Sequence, residues 1–255
     1  MPKEVKMQRR EFLRQSVAFG AAAPLLKTIF APGEVEGSLG TRASRAMVVR
    51  AIKPPPQGKI NVAFVLTENA NVMDFAGPWE VFQDVHVEGR GSSMEDMMPF
   101  ALCTVSDKTE MIHATSGLKI IPDFTFENAP PPRVVVVPAQ AGRSQAMLSW
   151  LRNASKNCDV LMSVCTGAFV LGAAGVLSGK NATTHHDYQD EFAKRFPDVK
   201  LQRSARFVEN EVVSTAGGLT SGIDLALHVV ERYFGRKVAE QTAAYMEYQS
   251  KGWMT

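Results

Sequence analysis

The sequence predicts an α/β fold in which a mostly parallel sheet is covered on both faces by helices. Short β-rich runs alternate with helical segments between residues 59 and 249, and such alternation is typical of parallel sheets. The run Val134–Val137 consists of valine alone, as expected for a strand that is buried on both faces. The length of 255 residues suits one large domain of this class or two small ones.

The strands of the first half are predicted where β-branched and aromatic residues cluster. They are expected at residues 59–67, 100–106, 117–121 and 134–137. A helix over residues 74–84 separates the first two strands, because Trp79, Val81 and Phe82 supply its apolar side and Gly77-Pro78 lies near its start.

The second half continues the alternation of strands and helices. Residues 143–156 place Met147, Trp150 and Leu151 in helical register. The predicted elements that follow are a strand over 159–164, helices over 166–177 and 187–196, two strands around 206–214, and helices over 221–234 and 236–249.

The N-terminus predicts export. Gln8-Arg9-Arg10-Glu11-Phe12-Leu13 is a twin-arginine pair followed by Phe-Leu, and the apolar stretch Ser16–Leu26 is too short to span a membrane. We expect a twin-arginine signal over residues 1–31, a Pro-containing linker or arm over 32–58, and a folded domain over 59–255. The expected location is periplasmic or extracellular, without stable membrane anchoring. The alternative is a basic tail with no signal function.

Charge argues against a nucleic-acid partner. The chain has 28 basic and 26 acidic residues, and residues 1–26 hold five of the basic and two of the acidic ones, which leaves 23 and 24. A near-neutral domain has no electrostatic means of capturing nucleic acid or anionic lipid. We expect no metal site, because His86, His113 and His228 lack ligand spacing, and no cofactor.

The three cysteines predict at least one free thiol, because their number is odd. Cys158 and Cys165 are expected at opposite ends of one strand, roughly 20 Å apart and too far for a disulfide. Cys103 lies in another apolar run and is expected to be a small buried hydrophobe.

Cys165 is the most informative of the three cysteines. It lies in Ser163-Val164-Cys165-Thr166-Gly167, between an apolar strand and an Ala/Gly-rich helical segment. Small residues two before and two after a nucleophile leave room for a tight strand-to-helix turn. Such a turn would place the thiol at a helix N-terminus, where backbone N–H groups favour the thiolate. The alternative is a structural cysteine buried at a strand end.

Three segments resemble the ThiJ/PfpI family. They are Ser163–Gly175 with the following Ala182-Thr183-Thr184-His185, then Met73–Phe82 (MDFAGPWEVF), and Gly218–Asp224 (GLTSGID). The resemblance spans residues 59–249 and implies a flavodoxin-like, three-layer α/β/α sandwich of the class I glutamine-amidotransferase type. The segments are most similar to the isocyanide hydratase-like subgroup, and they also occur in the amidotransferase-like half of some AraC-type transcription regulators.

The resemblance implies roles for six residues. Cys165 matches the nucleophile and Asp74 matches an acid near the thiol that handles protons. Backbone N–H groups of Thr166 and of the Ala139-Gln140 loop would stabilise charge, and His185 is expected near the site. For Asp74, a neighbouring thiolate and a partly dry pocket would raise the pKa; its alternative is a helix N-cap. For His185, the alternative is a structural histidine.

Three positions depart from the family pattern. Thr166 stands where many members carry His, which argues against peptidase activity. Ala139-Gln140 follows Pro138 where the family usually reads Pro-Gly-Gly, and His186 stands where hydratase-like members often carry Trp. The substrate preference of the family therefore does not transfer directly to this chain.

The leading functional hypothesis is a cysteine-dependent hydratase that converts a small isocyanide into an N-formamide. One alternative is a non-enzymatic redox sensor with an exposed thiol of low pKa. Another is a small-molecule binding domain related to the regulators. The family resemblance also implies a homodimer.

Overall fold

The computed structural model describes residues 50–254, and its central sheet has seven strands. In chain order the strands are β1 (Ile60–Val65), β2 (Phe100–Ser106), β3 (Ile112–His113), β4 (Lys119–Ile120), β5 (Phe124–Thr125), β6 (Val134–Val137), β7 (Val160–Val164), β8 (Asn181–Ala182), β9 (Lys200–Leu201), β10 (Phe207–Glu209) and β11 (Val213–Ala216). The sheet order is β10–β11–β7–β6–β1–β2–β5, and every neighbouring pair is parallel except β10–β11.

Helices cover both faces of this sheet. They are α1 (Val72–Gln83), α2 (Met94–Met97), α3 (Gln145–Asn157), α4 (Gly167–Ala173), α5 (Gln189–Arg195), α6 (Ser221–Phe234) and α7 (Arg236–Tyr245). Buried side chains of α1, α6 and α7 pack on one face, and those of α3, α4 and α5 pack on the other. The predicted three-layer α/β/α sandwich with a mostly parallel sheet is therefore confirmed.

The valine strand β6 shows why the sheet needs both layers. Val134 and Val136 belong to the core beneath α1 and α6, whereas Val135 and Val137 belong to the core beneath α3 and α4. All four side chains are fully buried, because successive side chains of a strand point to opposite faces.

The strand register brings three loops to one edge of the sheet. Parallel β1, β6 and β7 are neighbours, with Val62 opposite Val134 and Val134 opposite Val160. Their carboxyl ends therefore lie side by side, and the residues that follow them meet at the edge where α/β proteins gather their sites.

Several boundaries differ from the sequence-based prediction. The predicted strand 117–121 is reduced to β4, which pairs with β3 in a small antiparallel hairpin outside the central sheet. The edge strand β5 was not predicted, and α4 ends at Ala173 rather than at residue 177. Helix α7 ends at Tyr245, and the buried Trp253 belongs to the irregular chain after it.

The predicted signal over residues 1–31 lies outside the described residues, as does most of the predicted linker. Residues 50–58 form an irregular arm. The N–H of Ile52 donates to the carbonyl of Arg232 at 2.7 Å, and Arg232 Nε donates to the carbonyl of Arg50 at 2.9 Å. Within the described part of the chain, no helix combines the length and apolar character needed to cross a membrane.

Candidate active site

Cys165 occupies a strained turn between β7 and α4. Its φ of 58° lies in the left-handed region that residues other than glycine seldom adopt. Its N–H turns away from α4 and donates to the carbonyl of Gly217 at 2.7 Å. This geometry matches the predicted nucleophile turn.

Gly167 makes the turn possible. A Cβ added at this position would lie 2.1 Å from the carbonyl oxygen of Val137, so a side chain here would collide with the end of β6. Because residue 167 is glycine, α4 can begin directly against the end of β6. This close packing holds Cys165 at the end of the strands.

The thiol of Cys165 is buried and protonated at neutral pH. The residue is 7% exposed, and burial raises the pKa of the thiol to about 11, with the charge of Asp74 adding to the rise. Hydrogen bonds from the N–H groups of Thr166 and Leu219 act in the opposite direction and lower the pKa. The expectation that the helix N-terminus would favour a thiolate is thus wrong, because desolvation outweighs the backbone N–H groups.

Asp74 is fully buried in the first turn of α1. Burial raises the pKa of its carboxyl to about 6, against the lowering effects of hydrogen bonds from Ala139 N–H and from Cys165. The rise was predicted, but its main cause is burial rather than a neighbouring thiolate. The N-cap of α1 is Asn71, whose side chain accepts from the N–H of Met73, so the N-cap alternative for Asp74 is wrong.

The two oxygens of Asp74 have different surroundings. Oδ2 accepts a hydrogen bond from the N–H of Ala139 at 3.0 Å. Oδ1 is buried and has no hydrogen-bond partner of regular geometry among residues 50–254. The thiol of Cys165 is close enough for each group to shift the pKa of the other. The carboxyl therefore keeps one oxygen fixed and one oxygen available for a proton.

Of the two backbone N–H groups that the Ala139-Gln140 loop after β6 was expected to offer for charge stabilisation, that of Ala139 is not available. Its N–H is already engaged by the Asp74 carboxylate, so it cannot also serve a negative charge on a substrate. The side chain of Gln140 is held by Thr67, whose N–H and hydroxyl donate to Oε1 at 2.7 and 3.0 Å. Gln140 Nε2 is buried without a hydrogen-bond partner among the described residues.

Thr166 lies as expected, directly after the thiol, with its N–H directed at the sulfur. Leu219 supplies the second N–H and was not singled out as a site residue. It has a φ of 42° and follows Gly218 in the motif Gly218–Asp224. The effect of this N–H on the pKa of the thiol depends on the backbone, which the leucine side chain does not signal. Thr184 was also missed, and its hydroxyl donates to the carbonyl of Cys165 at 2.9 Å.

His185 packs against the turn that carries Leu219 rather than against the thiol. A Cβ added at Gly218 would lie 2.6 Å from its Cδ2, and its ring stacks on His186 with centroids 4.3 Å apart. Its Nδ1 accepts from the N–H of Asp187 at 3.3 Å. Within the described residues it makes no hydrogen bond to Cys165 or Asp74, so the structure favours a supporting position.

One cluster among the described residues has the composition of a cation site. Ligand atoms of His185, His186 and Asp187 lie within 4.8 Å of one another. His186 and Asp187 are exposed, and three consecutive residues of one turn supply fewer ligands than the four typical of a structural zinc site.

Cys103 and Cys158 are buried and free, like Cys165. Burial raises the pKa of Cys103 to about 11 and that of Cys158 to about 12. They lie away from Asp74, since Cys103 is on β2 and Cys158 caps the C-terminus of α3. Both serve as internal references for the reactivity of Cys165.

Known proteins are similar in sequence to most of this chain. Residues 60–232 match the model of the DJ-1/PfpI family. The chain is 30% identical over 195 residues to an isonitrile hydratase from Pseudomonas putida, which covers 74% of this chain and 78% of that protein. It is also 23% identical over 201 residues to the HTH-type transcriptional regulator GbdR of Pseudomonas aeruginosa, covering 76% of this chain but only 53% of the regulator.

Solved structures give the same result. A THiJ/PfpI family protein from Pseudomonas syringae superimposes with a TM-score of 0.66 at 25% identity, over 78% of each chain. DJ-1beta of Drosophila melanogaster superimposes with a TM-score of 0.63 at 17% identity, over 76% of this chain and all of that one (100%), which shows the shared fold alone. The family predicted from the segments around Cys165 is confirmed: the chain belongs to the DJ-1/PfpI family.

Proposed function

We propose that this protein is a cysteine-dependent hydratase that adds water to small isocyanides and releases N-substituted formamides. The observation that carries the proposal is the pairing of a protonated thiol, Cys165, with a buried carboxyl of pKa about 6, Asp74. The similarity to an isonitrile hydratase supports the same chemistry.

The pair suits an isocyanide because one carbon atom must receive both the nucleophile and the proton. In the first step the Cys165 sulfur bonds to the terminal carbon of R–N≡C while the thiol proton passes to Asp74. Asp74 then delivers that proton to the same carbon, and the product is a thioimidate, R–N=CH–S–Cys165. A thiol and a carboxyl side by side can reach a single atom in turn.

Water completes the cycle. It attacks the thioimidate carbon while Asp74 takes one of its protons, and Asp74 passes that proton to the imine nitrogen, which gives R–NH–CH(OH)–S–Cys165. Asp74 then takes the hydroxyl proton as the formyl C=O forms and the C–S bond breaks, and it returns that proton to the sulfur. The sum is one isocyanide and one water converted to one formamide, with Cys165 and Asp74 unchanged.

Two features of the site favour this reaction over amide hydrolysis. Attack on an amide generates an oxyanion at once and needs backbone donors for it, and one of the expected donors, the Ala139 N–H, is bonded to Asp74 instead. Attack on an isocyanide generates no oxyanion in its first step. In addition, the 7% exposure of Cys165 suits a slender electrophile with a terminal carbon.

The direct test is to incubate purified protein with n-butyl isocyanide and follow N-butylformamide by proton NMR. Wild type is expected to turn over, Cys165→Ser to be inactive, and Cys103→Ala, a buried cysteine outside the site, to retain wild-type activity. Formamide formation by Cys165→Ser at the wild-type rate would refute the proposal.

A second candidate is a small-molecule binding domain, favoured by the similarity to the GbdR regulator. It predicts a tight metabolite complex that survives Cys165→Ser, detected by native mass spectrometry. The redox-sensor alternative is less well supported, because it needs an exposed thiol of low pKa, whereas Cys165 is 7% exposed and burial raises its pKa to about 11.

A further inference from the structure

A segment after the last helix packs against an ion pair between a buried carboxylate and a partly exposed arginine beside the active site. We call residues Tyr248–Trp253 the C-terminal strap. The carboxyl of Asp224 on α6 is completely buried and pairs with Arg206 Nε, and its other oxygen accepts from the hydroxyl of Ser250 in the strap at 3.1 Å. A buried carboxylate requires such partners, because an unpaired buried charge is costly.

The strap fits closely against this ion pair. A Cβ added at Gly252 would lie 2.8 Å from Arg206 Cδ and 3.0 Å from Asp224 Oδ2, so a side chain here would push the Arg206 side chain away from Asp224. Trp253 is 1% exposed and its Nε1 donates to the carbonyl of Ser250 at 3.1 Å. These contacts anchor the end of the strap.

The same arginine also holds the turn before α6. Arg206 donates from one guanidinium nitrogen to Thr220 Oγ1 at 3.1 Å and to the Tyr248 hydroxyl at 3.4 Å. The Tyr248 hydroxyl donates in turn to the Thr220 carbonyl at 3.4 Å. Tyr248 of the strap and Arg206 therefore both hydrogen-bond to Thr220.

This turn contacts the nucleophile through the backbone. The N–H of Gly217 donates to the Arg206 carbonyl at 2.9 Å, and the Gly217 carbonyl accepts from the N–H of Cys165 at 2.7 Å. The N–H of Leu219, next to Thr220, lies near enough to the sulfur to lower the pKa of the Cys165 thiol. A continuous series of hydrogen bonds thus joins the strap to the residue that carries the thiol.

We infer that the C-terminal strap is a positioning element for Cys165, with Ser250 and Gly252 as its positioning residues, because it holds the Gly217–Thr220 turn against the nucleophile. The inference deepens the proposed function. Only the turnover measurement in its test depends on that function being correct. Loosening the strap withdraws the Leu219 N–H from the sulfur and leaves the thiolate less stabilised.

The test measures the reactivity of Cys165 rather than activity alone. Iodoacetamide alkylation of each cysteine is followed by peptide mass spectrometry between about pH 7 and about pH 10, where thiolate formation limits the rate. Ser250→Ala and Gly252→Ala are expected to slow Cys165 alkylation roughly fivefold at a given pH, the effect of one lost hydrogen bond. The turnover number for isocyanide should fall by a similar factor, with little change in KM.

Three controls separate positioning from loosening of the whole domain. Lys251→Ala removes an exposed side chain of the same strap and should leave the profile unchanged, and Ser250→Thr keeps the hydroxyl and should restore it. Cys103 and Cys158 should stay as unreactive as in wild type. Tyr248→Phe, which removes only a hydroxyl, is a second variant should the first two fail to fold.

The inference is overturned by wild-type alkylation profiles in the strap variants, or by a parallel rise in alkylation of Cys103 and Cys158. If the strap variants change the alkylation profile of Cys165 but the protein makes no formamide, the positioning role of the strap is supported and the proposed function is refuted. If the protein makes formamide but the strap variants leave the alkylation profile unchanged, the proposed function is supported and the positioning role of the strap is refuted.

Discussion

Asp74 and Cys165 are both moved upward in pKa by burial, to about 6 and about 11. At pH 7 the carboxyl is mostly ionised and the thiol is protonated, so proton transfer between them must accompany carbon–sulfur bond formation. Because the two groups interact, the apparent pKa on the acid side of the pH–activity profile belongs to the pair rather than to Asp74 alone.

Replacing Asp74 with Asn should abolish this proton transfer while preserving the shape of the side chain. Wild-type kcat/KM for an isocyanide should rise as pH increases through about 6, because only the carboxylate accepts the thiol proton. Asp74→Asn should lower kcat/KM by a factor of about 10²–10⁴ and abolish the rise of kcat/KM with pH. A variant with wild-type kcat/KM would contradict the role of Asp74.

The same substitution should stabilise the fold at neutral pH. The folded pKa of about 6 exceeds the ordinary value of 3.8, so the folded state binds more protons than the unfolded state between these values. The resulting stability is present in full below the unfolded pKa and is lost as pH rises through about 6. Removal of the buried charge in Asp74→Asn should therefore raise the free energy of unfolding at pH 7, on the order of 1–3 kcal/mol.

Urea unfolding at about pH 5 and about pH 7.5 checks this expectation, since the difference between variant and wild type should grow with pH. Glu110→Gln, at an exposed acid, is the matched control and should change neither value. A destabilised Asp74→Asn at neutral pH would argue that the carboxylate is needed for folding.

At this scale the sequence identified the correct residues but not their protonation states. The segment Ser163–Gly167 predicted the position of Cys165, and the resemblance predicted Asp74 as its partner. The burial that raises both pKa values arises from α1 and α6 packing around the strand ends. A helix N-terminus in the sequence therefore suggested a thiolate that burial disfavours at neutral pH.

Among the elements, the junction between β7 and α4 is the most constrained. Gly167→Ala would place a methyl group 2.1 Å from the Val137 carbonyl oxygen, a backbone atom that cannot move without distorting β6. We expect a loss of stability on the order of 3–5 kcal/mol by urea unfolding. Gly217→Ala, whose Cβ would meet its nearest neighbour at 3.5 Å, should cost far less. Equal stabilities for the two variants would contradict this account of the turn.

Element type was easier to predict than element boundaries. The valines of β6 and the apolar register of α3 are strong local patterns, and both elements were found. Helix α1 starts at Val72 because Asn71 caps it, and it accommodates Pro78 in its interior, where a proline removes the hydrogen bond to the carbonyl of Asp74. Edge strand β5 is only two residues long and has no pattern of its own.

For the molecule as a whole, the export prediction concerns residues outside those the structure describes. If residues 1–31 are a twin-arginine signal, Arg9→Lys with Arg10→Lys should retain the protein in the cytoplasm of a bacterial host. Immunoblots of periplasmic and cytoplasmic fractions measure the distribution. Lys3→Arg with Lys6→Arg, which also keeps every charge, is the control, and equal export of both double variants would argue against the signal.

The whole-molecule fold and the family were predictable because three separated segments agree, from Met73–Phe82 to Gly218–Asp224. The C-terminal strap was not, since its importance depends on contacts between Ser250 and Asp224 that are remote in sequence. The homodimer implied by the family resemblance stays a prediction.

The central claim is that Cys165 forms a covalent thioimidate with the isocyanide carbon. The most direct measurement is rapid-quench peptide mass spectrometry of wild type mixed with n-butyl isocyanide. The account predicts an adduct on Cys165 that carries the full mass of the isocyanide, and that forms and decays at least as fast as formamide appears. Formamide production without an adduct, or an adduct confined to Cys103 or Cys158, would contradict it.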